Sequence, residues 1–189
     1  AVNVQTMVFG NMGNDSATGV VFTRNETDGT NKLSGEYLTN AQGEDVVAGV
    51  RTGKDISKLL NEMPKSYNEL HMACKKLETH FREVQDIEFT IEQGKFYLLQ
   101  TRTAKMTAFA WCKTSVDFVK EKFISKNNAL TRIPAEQLEE LLHPIIDKKE
   151  VKKFKNLAKG INAAPGAANG IVVFDVKRAV AMCDANPEL

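Results

Sequence analysis

Residues 86–102 of the chain read DIEFTIEQGKFYLLQTR and decide its fold. Three apolar residues, Ile87, Phe89 and Ile91, alternate with polar ones, and a second alternating run follows the central Gln-Gly pair. Alternation with period two is typical of a half-buried strand, and a glycine-containing turn between two such runs predicts an antiparallel hairpin. Near the open ends of its strands this hairpin carries two carboxylates, an amide and a guanidinium: Asp86, Glu88, Gln100 and Arg102.

Two registers of the hairpin compete. A three-residue loop, Gln93–Lys95, pairs Glu88 with Gln100, whereas a two-residue Gln-Gly turn shifts the register by one and pairs Glu88 with Leu99. The three-residue loop separates polar from apolar side chains cleanly, and we therefore predict it. The other pairs of this register are Asp86 with Arg102, Ile87 with Thr101, Phe89 with Leu99, and Ile91 with Tyr97.

Polar side chains clustered on adjacent strands suggest a site for a metal ion and a phosphate. Glu88 and Gln100 offer oxygen atoms of the kind that Mg²⁺ prefers, and this ion usually shares its shell with waters and substrate phosphates. Arg102, beside Asp86, can bind a phosphate through two parallel hydrogen bonds. The combination is typical of phosphoryl transfer. The alternative is a solvated outer face with an Asp86–Arg102 ion pair of little energetic weight.

Strand and helix signals surround the hairpin. Alternation predicts strands over Val2–Phe9, Val20–Thr23 and Leu33–Asn40, and helical periodicity predicts a helix capped by Asp55 and a second one that begins at Pro64. The fold class is therefore α+β, a mainly antiparallel sheet with helices on one side. The residues predicted to form the apolar stripe of the second helix are Tyr67, Leu70, Met72, Leu77 and Phe81.

Composition divides the chain into three parts. Strand signals together with the two helices named above fill residues 1–104. Helical signals such as MTAFAWCKTSVDFVKEKF and PAEQLEELLH fill residues 105–159, and small residues with Pro and Gly open residues 160–189. A buried-strand pattern follows over Ile171–Phe174. Thirty residues are too few for a second core, and we therefore expect the chain to be a piece of a longer protein.

Charge and composition exclude several function classes. The 189 residues carry 25 basic and 24 acidic side chains, which gives no electrostatic reason to expect nucleic acid or an anionic membrane. No apolar run approaches the roughly 20 residues that span a bilayer. Three widely spaced cysteines without a metal-binding motif predict buried thiols in a reducing compartment. We expect surface or packing roles for His71, His80 and His143.

Four stretches, in order along the chain, resemble the pyruvate, phosphate dikinase family: MVFGNMGNDSATGVVFTRN, GEYLTNAQGEDVVAG, QDIEFTIEQGKFYLLQTR and GINAAPGAANGIVVF. The resemblance implies that residues 1–104 are the C-terminal part of an ATP-grasp nucleotide-binding domain. Residues 105–159 would then be a helical connection, and residues 160–189 the truncated start of a swivelling phosphohistidine domain with its first strand.

The resemblance also implies an activity: the interconversion of ATP, phosphate and pyruvate with AMP, pyrophosphate and phosphoenolpyruvate, through a phosphohistidine and with Mg²⁺. Glu88 and Gln100 would meet the metal and the phosphates, and Arg102 would contact the terminal phosphate as a catalytic residue. The remaining residues that the resemblance assigns to the ATP site are Asp86 at the nucleotide edge, and Glu44 and Asp45 at its border.

Departures from the family pattern limit what we expect of this chain alone. The N-terminal ATP-grasp part, the TSHAA-type phosphohistidine motif and the pyruvate-binding barrel have no counterpart, so we expect no turnover by itself. The resemblance implies a cytoplasmic or organellar homodimer without nucleic acid or membrane partners. The alternatives are a non-catalytic regulatory or interaction module on the same scaffold, and a related phosphoenolpyruvate synthase-type dikinase.

Two glycine-rich stretches complete the predictions. GNMGNDSATG, at residues 10–19, is interpreted as a structural turn beside the site, with direct ligand contact as the alternative. AAPGAANG, at residues 163–170, is interpreted as tight packing at a domain entrance rather than a binding loop.

Overall fold

A computed structural model describes residues 2, 4–47, 52–133, 138, 141, 148–151, 153–155 and 171–185. The chain divides into two compact units, residues 1–141 and residues 142–189. In the first unit, the described strands form one antiparallel sheet in the order β3-β2-β1-β4-β5, which confirms the predicted α+β class. These strands are Ala17–Phe22 (β1), Ser34–Thr39 (β2), Lys54–Asp55 (β3), Gln85–Glu92 (β4) and Lys95–Thr103 (β5).

The helices begin where local signals predict. Pro64 lies in the first turn of α3, Asp55 accepts a hydrogen bond from Ser57 N at 2.9 Å, and Thr107 Oγ1 caps α4 by accepting from Ala110 N at 3.2 Å. The described helices of the first unit are Gly43–Val47 (α1), Leu59–Glu62 (α2), Pro64–Phe81 (α3), Ala108–Lys120 (α4) and Lys126–Thr131 (α5), with a 3₁₀ turn at Ile56–Lys58. Those of the second unit are Lys148–Val151 (α6) and Val176–Ala185 (α7).

The hairpin turn differs from the prediction. Gln93 and Gly94 have φ of 48° and 73°, and Glu92 pairs directly with Lys95. Positive φ at both central residues is the geometry of a two-residue hairpin turn whose twist matches that of the strands. The predicted three-residue loop is therefore wrong, because the Gln-Gly pair satisfies the tighter turn.

At the open end of the hairpin the predicted pairing is nevertheless confirmed. An irregularity after Glu88 leaves Leu99 as an extra residue, since Phe89 pairs with Leu98 while Glu88 pairs with Gln100. A bulge of this kind adds one residue to one strand and moves the register by one. Two predicted pairs near the turn, Phe89 with Leu99 and Ile91 with Tyr97, are wrong: Ile91 pairs with Phe96.

The main core lies between one face of the sheet and helices α2 and α3. Of the predicted α3 stripe, Leu70 is buried and Tyr67 and Leu77 pack against the core, but Met72 and Phe81 are exposed because Cys74 and Glu78 occupy the buried positions instead. The buried members of this cluster are Ala17, Val21, Tyr37, Ile56, Leu59, Leu70, Cys74, Ile87, Phe89 and Ile91.

A second apolar cluster joins α4 to the end of the hairpin. Phe22 at the end of β1 packs against it, so the helix that follows the hairpin is attached to the same sheet. Its buried members are Val84, Ala104, Met106, Ala110 and Phe118, with Trp111, Phe123 and Ile124 around them.

Two predicted strands are not formed. The described part of Val2–Phe9 and all of Ile171–Phe174 lack regular secondary structure, and their large side chains are mostly exposed. A strand needs a neighbouring strand for its backbone hydrogen bonds, and among the described residues no strand pairs with either segment.

Several other predictions concern residues outside those described. They are the PAEQLEELLH helix apart from residues 138 and 141, His143, the boundary near residue 159 and the AAPGAANG stretch. The three-part division of the chain therefore stays a prediction. Among the described residues, every helix is too short or too polar to cross a membrane.

Candidate functional site

The candidate site lies on the sheet face opposite the main core. Ile87 and Phe89 point into that core, so Asp86 and Glu88, which alternate with them along β4, lie on the other face. Because residues paired across antiparallel strands project to the same face, Gln100 and Arg102 share it with them. The register thus gathers the four polar residues of the hairpin on one surface.

Arg102 lies against two carboxylates of β4, Asp86 and Glu88. Its Nε donates to Asp86 Oδ2 at 2.8 Å, and its Nη2 is 4.0 Å from Glu88 Oε1. The hydrogen bond to Asp86 raises the pKa of Arg102. The Asp86 side chain is 11% exposed, against 59% for Arg102 and 40% for Glu88. Asp86 therefore orients the guanidinium, while Arg102 and Glu88 keep surface that a ligand can reach.

A cavity of about 500 Å³ opens beside Glu88. Most of its walls are apolar, and helix α1 covers one side of it with Glu44. Apolar walls with a few convergent polar groups are typical of small-molecule sites, and this combination suits a flat ring with polar substituents. The lining residues are Thr18, Gly19, Val20, Gly43, Glu44, Val46, Glu88 and Leu99.

The two acidic residues of α1 have different surroundings. Glu44 lines the cavity, as described above. Asp45 instead closes a local turn: its Oδ2 accepts from Gln42 N at 2.9 Å, and its own N donates to Gln42 O at 3.0 Å. The structure therefore brings Glu44, but not Asp45, to the hairpin residues.

The oxygen atoms of Glu88 and Gln100 fit a metal ion that keeps part of its water shell better than one that is fully enclosed by protein ligands. Within the described ranges, no group of three or more His, Cys, Asp or Glu residues is arranged to hold a metal. Glu88 and Gln100 together offer two oxygen ligands across paired strands. Mg²⁺ accepts such a set, because it commonly takes its other ligands from water and phosphate.

The glycine-rich stretch at residues 10–19 packs closely against its neighbours. A Cβ on Gly10 would lie 2.5 Å from Ala41 O, so only glycine fits there. The stretch also holds the hairpin turn, since Gly94 N donates to Asp15 O at 2.8 Å. This supports the interpretation as a structural turn, and the part of the stretch that lines the cavity is its last two residues, Thr18 and Gly19.

The described histidines have packing contacts. His71 stacks on Tyr67 with ring centroids 6.2 Å apart, and His80 meets Phe81 edge-on at 4.9 Å. Both therefore have the ordinary role that was expected of them.

Sequence reasoning missed the apolar half of the site. Val46 lies in α1, a helix that the sequence patterns above do not predict, and Leu99 is predicted on the apolar face of the hairpin. Acidic residues in the first turn of α1 were a usable helix signal. The bulge that brings Leu99 to the cavity leaves no such signal in the sequence.

Comparisons with known proteins identify relatives of this chain. Residues 61–123 match the family described as pyruvate phosphate dikinase, AMP/ATP-binding domain. Over 181 residues the chain is 49% identical to pyruvate, phosphate dikinase 1, chloroplastic, from Oryza sativa subsp. japonica, covering 96% of this chain and 19% of the rice protein. Identity to pyruvate, phosphate dikinase is 53% over 179 residues in Rickettsia typhi, covering 92% of this chain and 20% of that protein. Identity to pyruvate, phosphate dikinase from Clostridium symbiosum is 51% over 181 residues, covering 96% of this chain and 21% of that protein. The chain thus spans about a fifth of the length of these relatives.

Proposed function

Over the segment that it spans, this chain belongs to the pyruvate, phosphate dikinase family, and from that premise we propose that it forms part of an Mg-ATP site. The parent enzyme would convert ATP, phosphate and pyruvate into AMP, pyrophosphate and phosphoenolpyruvate, reversibly, through a phosphohistidine. This chain would contribute one wall of the nucleotide site and would not turn over alone.

The observation that supports the proposal is the register at the open end of the hairpin. Glu88 faces Gln100, and Asp86 faces Arg102, on the surface beside the cavity. A nucleoside triphosphate with its bound cation requires oxygen ligands for the metal and a guanidinium for the phosphate, and this surface offers both.

Each residue has a distinct role in the proposed site. Glu88 and Gln100 would hold Mg²⁺, which neutralises charge on the phosphates when bound. Arg102 would bind the terminal phosphate, held in orientation by its bond to Asp86. The apolar cavity would take the purine ring, with Glu44 at its rim. Asp45 would act indirectly, through the turn that precedes α1.

Phosphate, pyruvate and a second subunit belong to the whole enzyme, as does its compartment. Homodimer formation and a cytoplasmic or organellar location stay predictions, since no described residue tests them. The named relatives include chloroplastic and bacterial proteins.

Partial reactions in a full-length family member that carries this segment test the proposal. We expect Glu88→Ala and Arg102→Ala each to slow the ATP partial reaction by roughly a hundredfold or more, because transition-state charge loses its partner. The pyruvate partial reaction should keep its rate. Glu92→Ala, four residues along the same strand, is the matched control and should leave both reactions unchanged within about threefold.

Equal loss of both partial reactions in Glu88→Ala or Arg102→Ala would refute the role given to the hairpin. Product analysis separates the synthase-type alternative, which releases phosphate instead of pyrophosphate. A regulatory module would show no Mg-dependent nucleotide binding in the full-length protein.

A further inference from the structure

Arg24 is a buried cation that joins three parts of the fold. It follows β1, is 1% exposed, and donates through Nε and Nη2 to Glu78 of α3 at 3.1 and 2.8 Å. It also donates through Nη1 and Nη2 to Glu121, the C-cap residue directly after α4, at 3.1 and 2.6 Å. Its guanidinium carbon lies 4.4 Å from the centroid of the Phe118 ring. Burial opposes the charge, but the bonds to both carboxylates outweigh it, so the pKa of Arg24 is raised.

The hydrogen bonds continue from this cluster toward the hairpin. Thr23 Oγ1 donates to Glu78 Oε2 at 2.8 Å and accepts from Gln85 N at 3.1 Å. Gln85 Oε1 in turn accepts from Thr101 Oγ1 at 3.0 Å. Thr23, Glu78 and Gln85 are all less than 9% exposed. The contacts therefore form a continuous hydrogen-bond network of mostly buried polar groups that runs from the end of α4 to β5.

This series of hydrogen bonds ends on the core side of the sheet, behind the candidate site. Gln85 is adjacent to Asp86 on β4, and Thr101 lies between Gln100 and Arg102 on β5. Neighbouring residues of a strand share a backbone but project to opposite faces. The network thus holds both strands from the core side, at the level where the Asp86–Arg102 pair lies on the ligand side.

The other end of the network is fixed on α4. Besides Glu121, this helix is attached where Thr107 N donates to Glu26 O at 3.0 Å and where Lys113 Nζ donates to Gly29 O at 2.9 Å. These bonds tie α4 to the segment that follows Arg24 along the chain. Moving the helix away would leave a buried arginine with one carboxylate fewer, which is costly.

We propose that the network from Glu121 through Arg24, Glu78, Thr23 and Gln85 to Thr101 positions Arg102 for its phosphate, with Arg24 as the central positioning residue. The position of α4 is thereby coupled to the geometry of the nucleotide site. This inference rests on the proposed function, since it assigns a purpose to the orientation of Arg102.

Hydrogen exchange of the Arg102 Nε–H, followed by NMR in the 189-residue chain at mildly acidic pH, tests the end of the network. Thr101→Val removes the bond to Gln85 without changing side-chain volume. We expect exchange at Arg102 Nε–H to accelerate by roughly fivefold, which corresponds to the loss of one neutral hydrogen bond. Thr103→Val is the matched control, because Thr103 is also on β5 but bonds to the side chain of Glu83, which precedes β4 and is not one of the network residues. It should leave the Arg102 signal unchanged.

The far end is tested by Glu121→Gln, which keeps the shape of the side chain but removes its charge. We expect at least a twofold acceleration at Arg102 Nε–H, with the fold retained. Asp117→Asn is the control on the same helix, since Asp117 pairs with Lys113 and not with Arg24. The coupling is overturned if Glu121→Gln accelerates exchange within α4 alone. It is also overturned if Thr103→Val accelerates exchange at Arg102 Nε–H as much as Thr101→Val does.

Because the exchange measurement needs no nucleotide, it is independent of the proposed function. A normal ATP partial reaction in Arg102→Ala would refute the nucleotide role even if the exchange results stand. Conversely, an intact ATP role with unchanged exchange in Thr101→Val would refute only the network. In the full-length enzyme, Glu121→Gln should slow the ATP partial reaction and spare the pyruvate partial reaction.

Discussion

Replacing Arg24 by methionine should lower the free energy of unfolding far more than the same replacement of Arg102. Each arginine contacts two carboxylates, but the Arg24 side chain is 1% exposed and that of Arg102 is 59% exposed. Methionine retains much of the apolar stem in both variants. The comparison therefore isolates the effect of burial on an ion pair.

The magnitude follows from what is left behind. Without Arg24, the carboxylate of Glu78 keeps one described side-chain donor, the Thr23 hydroxyl at 2.8 Å. Removing one partner of a buried pair costs about 3–5 kcal/mol, because a buried charge loses its compensation. An exposed pair contributes about 0–1 kcal/mol, so Arg102→Met should cost no more than that. Glu121 is a third exposed, and we expect Glu121→Gln to cost about 1–2 kcal/mol.

Urea unfolding monitored by circular dichroism measures all three variants. The midpoint should fall with little change in slope, since the surface exposed on unfolding is nearly the same. In the Arg24→Met background, Glu78→Gln should restore part of the loss, because it removes the uncompensated charge. A cost below about 1 kcal/mol for Arg24→Met, or equal costs for the two arginines, would refute the argument from burial.

Two further predictions concern single residues. Burial raises the pKa of Cys74 from its ordinary value of 9.0 to about 12. Cys183 is exposed, so the predicted burial of the thiols is wrong for this residue. In the native chain a thiol reagent should therefore modify Cys183 promptly and Cys74 only on unfolding. As the pH rises, the unfolded chain loses the Cys74 proton before the folded chain does. The contribution of Cys74 to stability is therefore present below pH 9.0 and is lost as pH rises toward about 12. Prompt modification of Cys74 by the reagent would contradict its burial. Gly94→Ala should cost about 1 kcal/mol in urea unfolding, because φ is +73° there although a Cβ would meet no atom within 4 Å. Gly43→Ala, equally open and at the start of α1, should be neutral or stabilising, and a similar cost at both positions would refute the conformational explanation.

The pairing of the hairpin was predictable, although the route to it was not. Polar and apolar alternation selected Glu88 with Gln100, and the structure has this pair. The turn, however, is the shorter of the two that were considered, and the extra residue Leu99 restores the register. Consecutive leucines at 98 and 99 suit either face, so alternation could not locate the bulge.

The failed predictions of strands and of core residues depend on contacts with other elements of the fold. Val2–Phe9 and Ile171–Phe174 have the composition of strands, but a strand forms only when a neighbour accepts and donates its backbone hydrogen bonds. Met72 and Phe81 were placed in the core by periodicity, whereas α3 buries Cys74 and Glu78 instead. Glu78 is buried because Arg24 and Thr23 bond to it from another element.

By itself the sequence determined local features of this protein: the cap at Asp55, the start of α3 at Pro64, and the shared face of Glu88 and Gln100. These depend on neighbours along the chain or on the period of a strand, which a sequence displays directly. Only the tertiary structure decided that Arg24, in a turn-rich segment, is the centre of a buried network. Its partners Glu78 and Glu121 lie 54 and 97 residues away, and such contacts arise from the packing of whole elements rather than from any local pattern.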